Sequence, residues 1–205
     1  KLQILKIKRD GIVHRLDKDT SGVMVVAKTQ TAYEFLKKQF KDHTIEKKYL
    51  ALVYGNIIQD EGVIDRPIGK SKKDFRQRSA ASGARGTLRP AVTEWRVLNR
   101  YSHPHILKDV RMTSEENFTL IEVKPKTGRT HQIRVHLKLI SHPIVCDRLY
   151  APNQSCPIFE GGITRQALHA ASLTLELPFG TQGAKTFQSP LPPDFQATID
   201  YLKQS

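Results

Sequence analysis

Residues 46–56, EKKYLALVYGN, constrain the fold of this chain more than any other segment. In an extended backbone successive side chains point to opposite faces, so the apolar and aromatic residues here cover both sides. They are Tyr49, Ala51 and Val53 on one face and Leu50, Leu52 and Tyr54 on the other. The segment therefore predicts a β-strand that is covered on both faces.

The remaining segments predict a mixture of strands and helices. Strands are expected at 22–29 (GVMVVAKT), 91–98, 118–125 and 168–178, and helices at 31–42, 130–140 and in the tail 192–205. One face of the first helix carries Ala32, Phe35, Leu36 and Phe40. A long polar loop is expected between the strands at 91–98 and 118–125. The stretch 66–90 is rich in lysine and arginine and predicts a cationic loop region. This order predicts an α+β fold around an antiparallel or mixed sheet.

The balance of charge favours a polyanionic partner. The chain has 33 lysine and arginine residues against 20 aspartate and glutamate residues, a net charge of +13. Such an excess attracts polyanions at long range, and nucleic acid is the first partner to consider. A basic surface that only keeps the protein dissolved is the alternative.

The cysteine, histidine and hydropathy patterns exclude several classes of protein. Cys146 and Cys156 are too few and too far apart for a CxxC motif, and a disulfide framework would use more cysteines, so a reducing intracellular compartment is expected. His131 and His136 are five residues apart, a poor match for a helical zinc site, and no structural metal is expected. Without a signal peptide or an apolar stretch of about 18 residues, no membrane span is expected. Because the first residue is Lys1, the natural protein is expected to begin earlier.

The segment HRLDKDTSG, residues 14–22, allows two interpretations. Its turn-forming residues are Asp17, Asp19, Thr20, Ser21 and Gly22, which suffice for a polar turn before a strand. Alternatively, Arg15 and Asp17 share one side of an extended backbone, and a guanidinium keeps a neighbouring carboxylate ionised. An ionised carboxylate can act as a nucleophile but not as a general acid. From these residues alone both interpretations stay open.

Two further candidates are equally ambiguous. In KTGRTHQIRVHL, residues 126–137, Arg129 precedes a helix start, where a guanidinium and the helix dipole would converge on a phosphate or a carboxylate. The alternative is a turn with Thr130 as the helix cap, Gln132 and Arg134 in solvent, and Ile133 and Leu137 in the core. Tyr49 either belongs to the core or stacks on a planar substrate.

Four segments, taken in order, carry a resemblance to a known family. They are GIVHRLDKDTSGVMVVAKT (11–29), EKKYLALVYG (46–55), KPKTGRTHQIRVHL followed by HPIVCDRLY (124–137 and 142–150), and LHAASLTLELP (168–178). Their order and spacing resemble the RluA family of pseudouridine synthases over residues 11–188. The resemblance implies an isomerase that converts uridine to pseudouridine in structured RNA. It also implies one catalytic domain over residues 1–205 with an α+β fold, a long mixed, mainly antiparallel sheet with flanking helices and loops.

The resemblance implies functions for individual residues as well. Asp17 falls on the catalytic aspartate, and Arg15 falls on the arginine that enters the RNA stack when the target nucleotide is flipped out. Tyr49 falls on the tyrosine that stacks on the target base. Arg129 falls on the arginine that pairs with the catalytic carboxylate, and Ile133 on an apolar position against the base. The implied partner is RNA, 23S-type rRNA rather than tRNA, and an isomerisation of this kind needs no cofactor. Apart from the resemblance, a monomer in the cytoplasm without a metal is expected.

Two departures and two alternatives accompany the resemblance. Family members usually carry a strand with a Lys-Pro-x-Gly element before the HRLD segment, and some carry a small RNA-binding domain ahead of that strand. Since neither precedes HRLD here, the chain is expected to be a fragment.

One alternative function is a catalytically silent RNA-binding or ribosome-assembly module. The other is a hydrolase that cuts glycosidic bonds with the carboxylates of Asp17 and Asp19. The basic segment 70–86, KSKKDFRQRSAASGARG, is either an RNA backbone contact or a solvated loop.

Overall fold

The structure is a computed structural model that describes residues 8–106, 113–154, 156, 161–178 and 183–204. Its helices are α1 (Gln30–Asp42), α2 (Gln132–Leu139) and α3 (Pro193–Lys203), and a 3₁₀ turn covers Lys8–Gly11. Its strands are β1 (Ser21–Gly22), β2 (Glu46–Tyr54), β3 (Glu61–Asp65), β4 (Ile68–Lys70), β5 (Arg78–Ser79), β6 (Arg85–Arg89), β7 (Val92–Ile106), β8 (Thr113–Pro125), β9 (Leu168–Glu176) and β10 (Ala184–Gln188).

The strands of the described residues form two sheets. The larger has seven strands in the order β1-β9-β2-β8-β7-β3, with β10 also paired to β9, and the smaller has three in the order β5-β4-β6. β1 runs parallel to β9, whereas the other paired strands are antiparallel. The predicted α+β fold around a mixed, mainly antiparallel sheet is confirmed.

β2 lies inside the larger sheet, as its sequence predicts. It pairs with β8 on one side and β9 on the other, and Ala51, Leu52 and Val53 are fully buried. Side chains of α2 and α3 join the same apolar core, among them Leu137 and Phe195. The core therefore surrounds the strand that carries Tyr49.

α1 packs largely with the predicted face: Leu36 is buried, and Ala32 and Phe40 pack against the same small apolar cluster. Its buried residues are Tyr33, Leu36 and Gln39, while Phe35 is only partly buried. Gln39 fits a buried position because its amide bonds the backbone of Glu176 twice, donating to the carbonyl and accepting from the N–H, each at 2.9 Å. A polar side chain whose hydrogen bonds are satisfied thus occupies a buried helix position that would ordinarily hold an apolar residue.

The predicted strand at 22–29 is wrong beyond its first residue. The segment leaves the sheet after Gly22, and its backbone hydrogen bonds go to scattered partners: Val25 N–H donates to the His14 ring (3.0 Å) and Ala27 N–H donates to Gly11 O (2.9 Å). Its β-branched composition reflects burial of alternate side chains in a small apolar cluster rather than a place in the sheet.

Two loop predictions are also wrong. β7 and β8 pair along Thr93–Ile106 and Thr113–Pro125, so most of the expected polar loop is strand, and its residues 107–112 lie outside the described residues. The cationic stretch 66–90 contains the three strands of the smaller sheet. In both places pairing between segments distant in sequence overrides weak local periodicity.

Cys146 and Cys156 are joined in a disulfide, with their Cα atoms 4.9 Å apart. Cysteine count alone did not indicate this pairing. A turn after Cys146, in which Asp147 O accepts from the N–H groups of Tyr150 and Ala151, brings the chain back toward it.

Candidate active site

A cavity of about 460 Å³ lies between the segment before β1, the start of β2 and the loop from β8 to α2. All five residues that the sequence singles out line this cavity. They are Arg15, Asp17, Tyr49, Arg129 and Ile133. Tertiary structure therefore brings the three separate sequence motifs to one place.

The segment that carries Asp17 is a hydrogen-bonded turn. Asp17 O accepts from Thr20 N–H (3.0 Å), and the side chain of Gln166 donates to Thr20 Oγ1 (2.8 Å). Gly22 approaches Ala170 so closely that a Cβ at that position would collide with the backbone. The turn interpretation and the site interpretation of HRLDKDTSG are thus compatible, because the turn holds Asp17 beside the cavity.

Asp19 does not share the cavity with Asp17. Its side chain is exposed, its backbone is left-handed (φ 70°), and its carbonyl accepts from Arg165 (3.0 Å). A hydrolase with two carboxylates needs both of them at one reaction centre. This arrangement does not support that alternative.

The carboxylate of Asp17 pairs with Arg134 and not with Arg129. Arg134 Nη1 lies 3.6 Å from Asp17 Oδ2, and the two side chains are only 7% and 17% exposed. Arg129 instead donates from Nε to Pro90 O at 3.0 Å. The predicted pairing of Arg129 with Asp17 is therefore wrong, because α2 begins at Gln132 and turns Arg134 inward while Arg129 stays in the preceding loop.

Arg134 is held in place by a second carboxylate, that of Asp147. Its Nε and Nη2 each donate to an oxygen of Asp147 at 2.7 Å, and the Asp147 side chain is fully buried. Asp147 Oδ1 also accepts from the N–H groups of Leu149 and Tyr150, each at 3.1 Å. Since this fork uses the edge of the guanidinium that carries Nε and Nη2, Nη1 remains to face Asp17.

The interpretation that places Gln132 and Arg134 in solvent is wrong, since both are buried. Sequence reasoning did not single out Asp147 either, although it lies in a segment that carries the family resemblance. The available signal was an arginine inside an otherwise apolar helical pattern. A charged side chain on the buried face of a helix requires a buried partner.

Tyr49 enters the cavity from β2, where it lies opposite Val123 of β8. Burial, and then the neighbouring Asp17 carboxylate, raise the pKa of the Tyr49 phenol to about 12. The ring is therefore neutral at physiological pH. Ile133 of α2, which is 7% exposed, adds an apolar surface to the same cavity.

The loop between β8 and α2 is anchored through the buried side chain of Gln132. Its Oε1 accepts from Thr127 Oγ1 (2.7 Å) and from Arg129 N–H (3.0 Å). Its amide donates to Val92 O (2.9 Å) and Thr93 Oγ1 (3.0 Å) of β7. The backbone of Arg129 is thereby held against the sheet.

His131, and not the predicted Thr130, is the residue that caps α2. It has a left-handed backbone (φ 56°) and makes no side-chain cap hydrogen bond. Its Nδ1 lies 2.9 Å from the hydroxyl of Tyr150, and burial lowers its pKa. A neutral imidazole therefore lines the cavity next to Asp17 and Arg134.

Among the other residues that line the cavity are His14, Phe40 and Lys47, for which the sequence indicated no function. The ring of His14 stacks on Phe40 with the centroids 4.5 Å apart. Lys47 Nζ donates to Thr127 O at 3.3 Å, and burial lowers the pKa of this amine. Lys47 precedes Tyr49 by two positions, so strand alternation places both on one face.

Protonation of His14 is expected to destabilise the protein below neutral pH. Burial, and then Lys47, lower the pKa of His14 from 6.5 to about 4, and its Nε2 accepts from Val25 N–H. Because the unfolded chain binds this proton more readily, the contribution is complete above about pH 6.5 and is lost as the pH falls toward 4. Urea unfolding is expected to show a loss of about 1 to 2 kcal/mol between pH 7 and 5 from this residue.

The matched variants for that measurement are His14→Gln and His43→Gln. His43 is exposed, so its replacement is expected to leave the pH dependence unchanged, whereas His14→Gln is expected to flatten it. If the free energy of unfolding of His14→Gln depended on pH as steeply as that of the wild type, the pH dependence could not be attributed to His14.

Two kinds of feature are absent from the described ranges. Among those residues, no group of three or more His, Cys, Asp or Glu side chains is placed to hold a metal ion. None of the described helices is both long enough and apolar enough to cross a membrane.

The chain is similar to known proteins over most of its length. The family model described as RNA pseudouridylate synthase matches residues 1–139. A Bacillus subtilis protein named Uncharacterized RNA pseudouridine synthase YlyB is 40% identical over 199 residues, 97% of this chain and 58% of that protein. The Ribosomal large subunit pseudouridine synthase D of Nitrosomonas europaea is 38% identical over 204 residues, 98% of this chain and 54% of that protein. The chain thus spans little more than half the length of these relatives.

Solved structures confirm the predicted pseudouridine synthase fold. Human RNA Pseudouridylate Synthase Domain Containing 1 aligns with a TM-score of 0.72 and 27% identity, over 94% of this chain and 78% of that one. Human RNA Pseudouridylate Synthase Domain Containing 4 aligns with a TM-score of 0.68 and 25% identity, over 94% and 75%. On sequence and on structure, this chain belongs to the RNA pseudouridylate synthase family.

Proposed function

We propose that this chain contains the catalytic centre of an RNA pseudouridine synthase, which isomerises specific uridines in structured RNA with Asp17 as the nucleophile. One observation carries the proposal. In a chain of this family, Asp17 lines a cavity of about 460 Å³, has its carboxylate 3.6 Å from Arg134 and shares the cavity with the ring of Tyr49.

The proposed reaction needs no net redox or group transfer. The N1–C1′ bond of uridine breaks, the uracil turns, and C5 bonds to C1′. C5 then loses a proton and N1 gains one, so that substrate and product have the same atoms. Asp17 is the nucleophile in this sequence: its carboxylate bonds to C1′ of the ribose or to C6 of the uracil, and that bond breaks again before the product leaves. Arg134 orients the carboxylate and balances its charge. The reaction as proposed uses no metal and no cofactor.

Base flipping is proposed to bring the uridine to Asp17. A uridine inside folded RNA must leave the stack at a cost of a few kcal/mol. Arg15, which is exposed where it lines the cavity, fills the gap that the uridine leaves. The flipped base stacks on Tyr49 and packs against Ile133. Arg129 is assigned to RNA contact, since its guanidinium does not pair with Asp17.

The proposed substrate is large-subunit rRNA. Relatives at 36 to 38% identity carry the name Ribosomal large subunit pseudouridine synthase D, and the net charge of +13 suits a polyanion. Within the basic segment 70–86, Phe75 is 89% exposed, next to the ion pair of Asp74 with Arg76 and close in sequence to Lys72 and Lys73. An exposed aromatic ring in a basic segment is typical of RNA-contacting surfaces. The protein is proposed to act as a monomer. Its proposed location is the cytoplasm, where the rRNA substrate would be found.

The direct test is to incubate the protein with an unmodified large-subunit rRNA transcript and map pseudouridines. Because the chain spans little more than half the length of its relatives, the Ribosomal large subunit pseudouridine synthase D of Nitrosomonas europaea is assayed beside it. Conversion at discrete uridines is expected. RNA binding without any pseudouridine would overturn the proposal in favour of a catalytically silent RNA-binding module.

Replacing Tyr49 is expected to weaken catalysis through lost stacking. Base–aromatic stacking contributes about 1–3 kcal/mol per base, so Tyr49→Leu is expected to lower kcat/KM by roughly 10- to 100-fold. Tyr49→Phe keeps the ring and is expected to lose clearly less. Equal losses in the two variants would assign the effect to the hydroxyl and contradict the stacking function.

A further inference from the structure

A second cleft, of about 470 Å³, adjoins the candidate active site. Its walls come from the smaller sheet and from the loop before α2. Four basic residues line it: Lys70, Arg78, Arg89 and Arg129. We call it the cationic cleft; no Asp or Glu belongs to its lining among the described residues.

The cations of the cationic cleft are not neutralised by the protein. No carboxylate of the described residues lies within 4 Å of the charged groups of these four side chains, whereas Arg96 and Lys124, in a third cleft, both pair with Glu122 at 3.7 and 3.5 Å. That third cleft also contains Glu61 and Glu94. The charge of the cationic cleft is thus available to an anion from outside.

The floor of the cationic cleft exposes bare backbone. Gly86 has a left-handed backbone (φ 73°), and the nearest atom to a Cβ placed there would be the Lys70 side chain at 4.0 Å. Gly128 has nothing within 4 Å of such a Cβ. A bulky anionic group can therefore approach the main chain between the basic side chains.

The cationic cleft and the active-site cavity share a wall. Gly128, Arg129 and Thr130 line both of them. A nucleotide in the active-site cavity carries a phosphodiester on each side, and a strand that leaves across the shared wall enters the cationic cleft first. Arg129, whose Nε bonds Pro90 O, stands at this crossing.

We propose that the cationic cleft binds a phosphodiester of the RNA strand next to the target uridine. The proposal rests on the proposed function and names a subsite for its substrate. In this subsite, Lys70 and Arg89, both exposed, supply charge from the smaller sheet. Phosphate contacts of this kind set position and affinity and do not enter the chemical step.

The test compares two double variants that remove equal charge. Lys70→Gln with Arg89→Gln alters the cationic cleft, and Arg96→Gln with Lys124→Gln alters the acid-balanced third cleft. Dissociation constants are measured for a fluorescein-labelled large-subunit rRNA fragment over a series of salt concentrations. Steady-state rates of pseudouridine formation are measured on the same RNA.

The cationic-cleft variant is expected to bind the RNA fragment roughly tenfold more weakly than the wild type does. The slope of its log affinity against log salt concentration is expected to be shallower, by an amount that corresponds to about one to two phosphate contacts. Its KM is expected to rise while kcat at saturating RNA stays unchanged. The control variant is expected to match the wild type in both affinity and salt dependence.

Unchanged affinity in the cationic-cleft variant, or equal weakening in both variants, would overturn the subsite. The outcome is separable from the proposed function. If the wild-type protein binds the RNA but forms no pseudouridine, the catalytic proposal fails, and the binding measurements still decide whether the cleft holds phosphate.

Discussion

Asp17→Asn is expected to abolish pseudouridine formation. The amide keeps the size of the carboxylate but is not a nucleophile, so kcat is expected to fall by at least about 10⁴-fold. RNA affinity is expected to stay close to that of the wild type, because the phosphate-contacting side chains are untouched. The measurement is single-turnover pseudouridine formation at saturating protein, together with a binding titration.

Asp19→Asn is the matched control for this experiment. Asp19 holds the turn through its backbone carbonyl, which accepts from Arg165, and its exposed side chain does not line the cavity. Near-wild-type activity is expected. If Asp17→Asn and Asp19→Asn lost activity equally, the segment would be a turn whose carboxylates matter only for its shape.

Arg134→Met is expected to cause the largest loss of stability of any variant considered. It leaves the fully buried carboxylate of Asp147 without its cationic partner, and breaking a buried pair in this way costs about 3–5 kcal/mol. It also removes the ion-pair partner of Asp17. Urea unfolding measures the first effect, and pseudouridine formation measures the second.

A second substitution separates these two effects. In Arg134→Met with Asp147→Asn the buried charge is gone, while the amide oxygen can still accept from Leu149 N–H and Tyr150 N–H. Most of the lost stability is expected to return, whereas activity is not, because Asp17 still lacks its partner. Recovery of activity along with stability would show that Arg134 acts only through the fold.

Arg129→Met is the corresponding control for stability. Its guanidinium is half-buried and bonds a backbone carbonyl, so a loss below about 1 kcal/mol is expected. A loss as large as that of Arg134→Met would contradict the different functions that the structure gives these two arginines.

The elements with strong local periodicity were predictable. β2 alternates over its whole length, and α2 and α3 carry helical apolar stripes, so each was located close to its actual position. The segment 22–29 failed because its β-branched side chains pack in a small cluster without a neighbouring strand beyond Gly22. Composition favours a strand there, but a strand also needs a partner.

The smaller sheet shows the same limit. Its strands β5 and β6 are short and mostly exposed, so the segment has no apolar alternation from which to predict them. Pairing of β4 with both neighbours turns a stretch of cationic sequence into one wall of a cleft. Charge was evident from the sequence, whereas its arrangement was not.

The sequence by itself determined the fold class, the family resemblance and the identity of Asp17 and Tyr49 as candidates, because these depend on local patterns and on the order and spacing of segments along the chain. Only the tertiary structure decided between Arg129 and Arg134. The two arginines are five positions apart beside the same helix start, and local pattern does not distinguish them. The choice depends on the docking of α2 against Asp147, 13 residues further along the chain, which directs one guanidinium into the protein toward Asp17 and leaves the other at its surface.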